Sequence, residues 1–88
     1  MKHSDFAIGT EFRTATGKWR CTDVGTRTIA AIKIDPVEIC RADIQAGTEE
    51  WQVLSQAEAE AQNWFSGPPY GVAEIVFDED DIEGCEPA

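Results

Sequence analysis

Apolar and polar positions alternate through the first third of the chain. Ile8-Gly9-Thr10-Glu11-Phe12-Arg13-Thr14 is a short alternating run, broken at Ala15-Thr16-Gly17. Alternation resumes in Lys18-Trp19-Arg20-Cys21-Thr22, which puts Trp19 and Cys21 on one face and the charged and hydroxylated residues on the other. Asp23-Val24-Gly25-Thr26 carries turn chemistry, because glycine accepts positive φ without steric cost. Thr28 to Ile34 is rich in β-branched residues, with Thr28, Ala30, Ile32 and Ile34 in phase. These segments predict a three-stranded meander.

The period then changes. Pro36 stops the third strand and starts a short helical turn through Val37-Glu38-Ile39-Cys40. Thr48 reads as the N-cap of a helix whose first acids, Glu49 and Glu50, suit the positive end of its dipole. Trp51, Leu54, Ala57, Ala61 and Trp64 follow at spacings of 3, 3, 4 and 3, which is one helical stripe. Ser66-Gly67-Pro68-Pro69 ends that helix. Tyr70 to Phe77 reads as a last strand, with Ala73, Ile75 and Phe77 on one face and Glu74 and Asp78 on the other.

The expected order is therefore β-β-β-α-β in one small, β-rich α+β domain spanning 1–88. Residues 36–63 are read as a helical insertion and 84–88 as a mobile tail. Short twisted strands around a small core suggest an SH3-like partly open barrel. An α+β sheet crossed by one helix is the other arrangement this order permits.

Charge sharpens the picture. The chain holds 7 basic and 17 acidic residues, for a net charge of −10. The two signs are segregated. Residues 1–34 contain Lys2, Arg13, Lys18, Arg20, Arg27 and Lys33 against Asp5, Glu11 and Asp23, a net +3. Residues 35–88 contain fourteen acids and only Arg41, a net −13. Free nucleic acid and anionic membrane would both be repelled, since affinity for either comes mainly from lysine and arginine. The chain shows no apolar run of signal-peptide or membrane-spanning length, and it has three cysteines, an odd number; both point to the cytoplasm.

The densest charge is Asp78-Glu79-Asp80-Asp81-Ile82-Glu83, five carboxylates in six positions directly after a strand-like segment. It is not an EF-hand: counted from Asp78, Ile82 and Glu83 occupy positions 5 and 6, where an acid and a glycine are needed. Three other roles fit it: a solvated tail, a weak divalent-cation site, or a surface that imitates phosphates. Same-face strand residues lie roughly 6–7 Å apart, close to phosphate spacing along a nucleic-acid strand. Glu49, Glu50, Glu58 and Glu60 would extend such a patch, and Trp51, if exposed beside them, would anchor a partner. Trp64 and Tyr70 read instead as packing the helix onto the sheet.

Catalytic and metal chemistry find little support. Cys21, Cys40 and Cys85 lack the close pairing that zinc requires, and His3 is the only histidine. Cys21, in phase with Trp19, reads as a small buried apolar residue. There is no credible nucleophile–histidine pairing, and Gly25 and Gly67 are isolated turn glycines rather than a phosphate loop. No catalytic residue, cofactor or metal is expected.

The stretches WRCTDVGTRTIAAIKID (19–35) and WFSGPPYGVAEIVFDEDDIEGC (64–85), with IGTEF near the start, resemble a family of small bacterial proteins without an assigned activity. They cover roughly half the chain. In that family the third strand reaches the W-x-x-GPPY segment through a much shorter link, so residues 36–63 stand out as an expansion. The resemblance implies a bacterial, cytosolic, single-domain protein. Acidity and size then suggest a non-enzymatic module that binds a basic protein or nucleoprotein complex. Its sharpest form is a nucleic-acid mimic of the anti-CRISPR or anti-restriction kind. A metal- or ligand-responsive sensor and a module that dimerises through an edge strand are the alternatives.

Overall fold

The computed structural model describes residues 1–43 and 47–88, and within these the side chains of all but 39–43 and 48–50. A 3-10 turn at His3–Asp5 precedes β1 (Glu11–Thr14), β2 (Gly17–Val24) and β3 (Ile29–Asp35). Then come β4 (Val37–Asp43), β5 (Thr48–Leu54), α1 (Gln56–Ala61), β6 (Glu74–Phe77), α2 (Glu79–Glu83) and β7 (Glu86–Pro87). The fold is α+β with antiparallel pairing throughout. One sheet has five strands in the order β6-β3-β2-β1-β7, and β4 with β5 forms a separate ribbon. The five strands do not close into a barrel, since β6 and β7 stand at opposite ends of the order.

The meander is the part that alternation located. β1 and β2 meet in a tight hairpin with Thr14 opposite Gly17. Gly17 has φ +147°, and a Cβ there would collide with the Asp35 carbonyl oxygen, so the turn requires glycine. Trp19 and Cys21 are buried on one face, joined by Phe12, Ile29, Ala31 and Phe77. Phe6, Ile82 and Cys85 close this core from above. Its rings meet edge to face: Phe6–Phe12 at 5.1 Å, Phe12–Phe77 at 5.4 Å and Trp19–Phe77 at 5.0 Å between centroids.

The opposite face is also covered. Ile32 and Ile34, one position out of phase with Ile29 and Ala31, are fully buried. Helix α1 lies on this side: Lys18 and Arg20, which point away from Trp19 and Cys21, donate to Gln56 Oε1 at 3.2 Å and Glu60 Oε1 at 2.8 Å. A second cluster of Val37, Leu54 and Ala59, with Trp64, Phe65 and Val72 against it, ties α1 to the base of the β4–β5 ribbon.

Several expectations are corrected. β1 begins at Glu11, and Ile8 sits in the preceding turn, 72% exposed. The segment after Pro36 is a strand, not a helical turn, and Thr48 opens a strand, not a helix. β4 and β5 pair from Val37↔Leu54 to Asp43↔Thr48, and Gly47, with φ +65°, leads into β5. Cross-strand hydrogen bonding thus overrides the helical spacing of Trp51 and Leu54. The helix starts seven residues later, capped by Ser55, whose hydroxyl accepts from the Glu58 N–H at 3.3 Å. It ends at Ala61, so Trp64 lies beyond it. β6 covers Glu74–Phe77 only. In the segment expected to be a tail, Cys85 is 3% exposed, and Glu86 and Pro87 pair with Arg13 and Phe12 of β1.

Candidate functional site

The carboxylate run follows β6 directly because its first member is a helix cap. Asp78 Oδ1 accepts the Asp81 N–H at 2.8 Å, and Asp81 Oδ2 accepts the Asp78 N–H at 3.2 Å. Each acid satisfies a backbone donor that the first helical turn leaves unpaired. Glu79, Asp80 and Asp81 all lie in that first turn, where the helix dipole favours negative charge. Ile82 is the inward residue, 3% exposed. Beyond it the Cys85 thiol donates to the Asp81 carbonyl at 3.2 Å, and the Met1 amino group donates to the Cys85 carbonyl at 2.8 Å. With β7 paired to β1, the acidic turn is fastened at both ends. His3 adds a bond beneath it: its Nε2 faces the carbonyl oxygens of Gly25 (2.7 Å) and Thr28 (3.3 Å), so this nitrogen carries the proton.

Arg27, Lys2 and the Met1 ammonium share one cavity with Glu79, Asp80 and Glu83, so positive charge stands on one side of this turn. Arg27 Nε lies 3.7 Å from a Glu79 carboxylate oxygen, with both side chains largely exposed, a contact of small energetic value. Asp78, Glu79, Asp80, Asp81 and Glu83 are all exposed. They fan around one helical turn and do not line a strand, so the strand-like phosphate spacing expected of them is absent.

The other acids are divided from this patch. α2 covers the face of Phe12 and Trp19, whereas α1 covers the face of Arg20, so Glu58 and Glu60 stand across the sheet from Asp78–Glu83. A single continuous patch is not formed. Glu58 is occupied with the Ser55 cap, accepting from Ser55 N–H and Oγ at 3.4 and 3.0 Å. Glu60 pairs with Arg20, which also reaches Glu11 at 3.1 Å and stacks 5.7 Å from the Phe65 ring. Trp51 is 65% exposed on β5 and does not belong to the core. Glu49 and Glu50 are in the same strand, and their side chains lie outside the described residues, as does that of Cys40.

The charge chemistry that sequence reading overlooked is the cluster of Glu11, Lys18, Arg20 and Glu60. Hydrogen bonding from Lys18, aided by Arg20, holds the Glu11 carboxyl below its usual range against an opposing effect of burial. Arg20, then Gln56, lowers that of Glu60, and Glu60 in turn raises Arg20. The sign for stability follows directly. Glu11's contribution is present above its unfolded value of about 4.5 and is lost as pH falls through the lowered folded value. Thermal melts between about pH 7 and pH 3 should show this acid limb, and Glu11→Gln should flatten it while costing no more than about 1 kcal/mol at neutral pH. An acid limb of unchanged slope in the variant would show the cluster to be inert. Burial raises the thiols of Cys21 and Cys85, which hydrogen-bond to the carbonyls of Asp23 and Asp81.

Among the described residues no group of three or more His, Cys, Asp or Glu is arranged to hold a metal ion, and no helix is long and apolar enough to cross a membrane. No family model, no curated protein and no solved structure matches this chain.

Proposed function

We propose that this chain is a non-enzymatic, acidic protein-binding module whose contact surface centres on α2, and that it acts in the cytoplasm on a basic protein or nucleoprotein complex. One observation carries the reading. Five exposed carboxylates are held on a turn anchored by Ile82 and Cys85; among the described residues one long ion pair, from Arg27, reaches them, and Lys2 and the Met1 amino group lie on the same side. Charge displayed from a fixed scaffold steers a basic partner and fixes its register, which charge on a loose tail does poorly. Trp51, exposed on β5, is a second candidate anchor, of the residue type that dominates interface energies.

The resemblance to small bacterial proteins supports a bacterial setting. The SH3-like reading draws support from a meander whose last short strand returns to β1 after a helical turn. The nucleic-acid-mimic version, as in anti-CRISPR or anti-restriction inhibitors, needs a longer line of charge than α2 offers. With Glu58 and Glu60 across the sheet, a compact anionic contact is the form we favour.

The test is a variant that removes charge and spares the caps. Glu79→Gln, Asp80→Asn and Glu83→Gln leave Asp78, Asp81 and Ile82 in place. Immobilised wild type should capture basic proteins from bacterial extract, identified by mass spectrometry, and the triple variant should lose them. The purified partner should bind wild type at least about tenfold more tightly than the variant at low salt, with the gap closing as salt rises. Capture of the same proteins with equal affinity by both would overturn the reading.

A further inference from the structure

The two edges of the five-stranded sheet are treated differently. β7, at one end, is two residues long and contains Pro87, which blunts it against further pairing. β6, at the other end, is not blunted. It pairs with β3 on its inner side, and among the described residues no strand pairs with its outer side. In an antiparallel strand every second residue directs its N–H and C=O away from the existing neighbour, so this edge presents backbone donors and acceptors to solvent. β6 contains neither proline nor lysine, the usual protections of an edge. It exposes Ile75 (45%) and Val76 (66%) on its two opposite faces.

The surroundings specify what would fit there. A groove of about 420 Å³ runs beside the strand, lined by Trp19, Ile75, Val76 and Phe77 together with Asp80 and Asp81. It continues past Ile75 as a groove of about 230 Å³ lined by Val72, Val37 and Lys33. Glu74 and Asp78 flank the strand at its two ends, and among the described residues Lys33 is the one cation lining either groove.

We propose that the outer edge of β6 receives an extended segment of the basic partner, which joins the sheet as an added strand. Backbone hydrogen bonds supply the pairing, an apolar residue settles beside Ile75, and lysines or arginines meet Glu74, Asp78, Asp80 and Asp81. Charge complementarity selects this occupant over a second copy of the chain. A two-fold pairing centred on Val76 would bring Glu74 of each copy directly opposite Asp78 of the other, with −10 facing −10. The inference rests on the reading of α2 as a protein-binding surface and adds where the partner's backbone lies.

Four synthetic peptides separate the possibilities: one alternating valine and lysine, its glutamate counterpart, and the lysine peptide N-methylated at every second residue in either phase. Methylation removes strand donors while keeping the charge. The lysine peptide should bind and slow amide exchange across Glu74–Phe77. One methylated phase should bind at least about tenfold more weakly, and the glutamate peptide should not bind. If both methylated peptides bind as well as the parent and β6 amides stay unprotected, strand addition is overturned. In that case the α2 reading still stands, provided Glu79→Gln, Asp80→Asn, Glu83→Gln weakens the lysine peptide. Absence of binding by every peptide overturns both. Concentration-dependent dimerisation of the protein alone, with protected β6 amides, would make a second copy the occupant and overturn the basic strand.

Discussion

Phe12→Ala should remove most of the stability of this protein. Phe12 is fully buried between Phe6 and Phe77, and it pairs in register with Trp19 on β2 and with Pro87 on β7. Truncating a core phenylalanine costs about 3–5 kcal/mol, because the transfer energy is lost and the neighbours collapse only partly into the void. A domain of this size has about 5–15 kcal/mol in total, and those of 88 residues lie towards the low end. Urea denaturation followed by tryptophan fluorescence should therefore show a much lower midpoint with a similar slope. An unfolding free energy within about 0.5 kcal/mol of wild type would contradict the placement of Phe12 at the centre of the core.

Ile82→Ala should separate the acidic turn from the sheet while leaving every carboxylate in the chain. Ile82 is the residue of α2 buried in the aromatic cluster, and a buried isoleucine-to-alanine change costs about 2–5 kcal/mol. Five residues cannot sustain a helix without tertiary support. Amide exchange should thus quicken at Asp81–Cys85 well before β2 and β3 are affected. Asp78→Ala, which removes the cap and one of the five carboxylates, should cost about 1 kcal/mol of stability. Binding of the basic partner should weaken in Ile82→Ala although net charge is unchanged. If α2 loosens and affinity stays the same, charge alone recruits the partner, and the fixed geometry of the turn has no role in recognition.

The two helices show how local signals can be present and yet outweighed. Trp51, Leu54, Ala57, Ala61 and Trp64 satisfy helical spacing, but that stripe crosses the end of β5 and runs past the end of α1. The better signal was the capping pair Ser55 and Glu58, three apart in the sequence. The same pattern recurs in Asp78 and Asp81, followed by apolar Ile82, and turns a supposed tail into a capped helix. The β4–β5 ribbon left a weaker trace. Its strands pair residues up to seventeen positions apart, and its alternation is diluted by polar residues on both sides. The edge position of β6 left none: Ile75 and Val76 look like any buried strand until it is known that, among the described residues, no strand pairs with the outer side of β6.

Alternation located the β1–β2–β3 meander and the burial of Trp19 and Cys21, and composition placed the negative charge after residue 34. These follow from neighbours in the chain, where side-chain period acts without reference to anything distant. The turn expected at Asp23–Thr26 is shorter, since β2 runs to Val24, and Gly25 does not take the positive φ expected of it. The tertiary structure decided that acids adjacent in composition belong to opposite faces. β3 buries Ile29 and Ala31 on one side and Ile32 and Ile34 on the other, so each side needs its own cover. α2 takes one and α1 the other, and which helix lands where depends on long-range burial that local pattern does not encode.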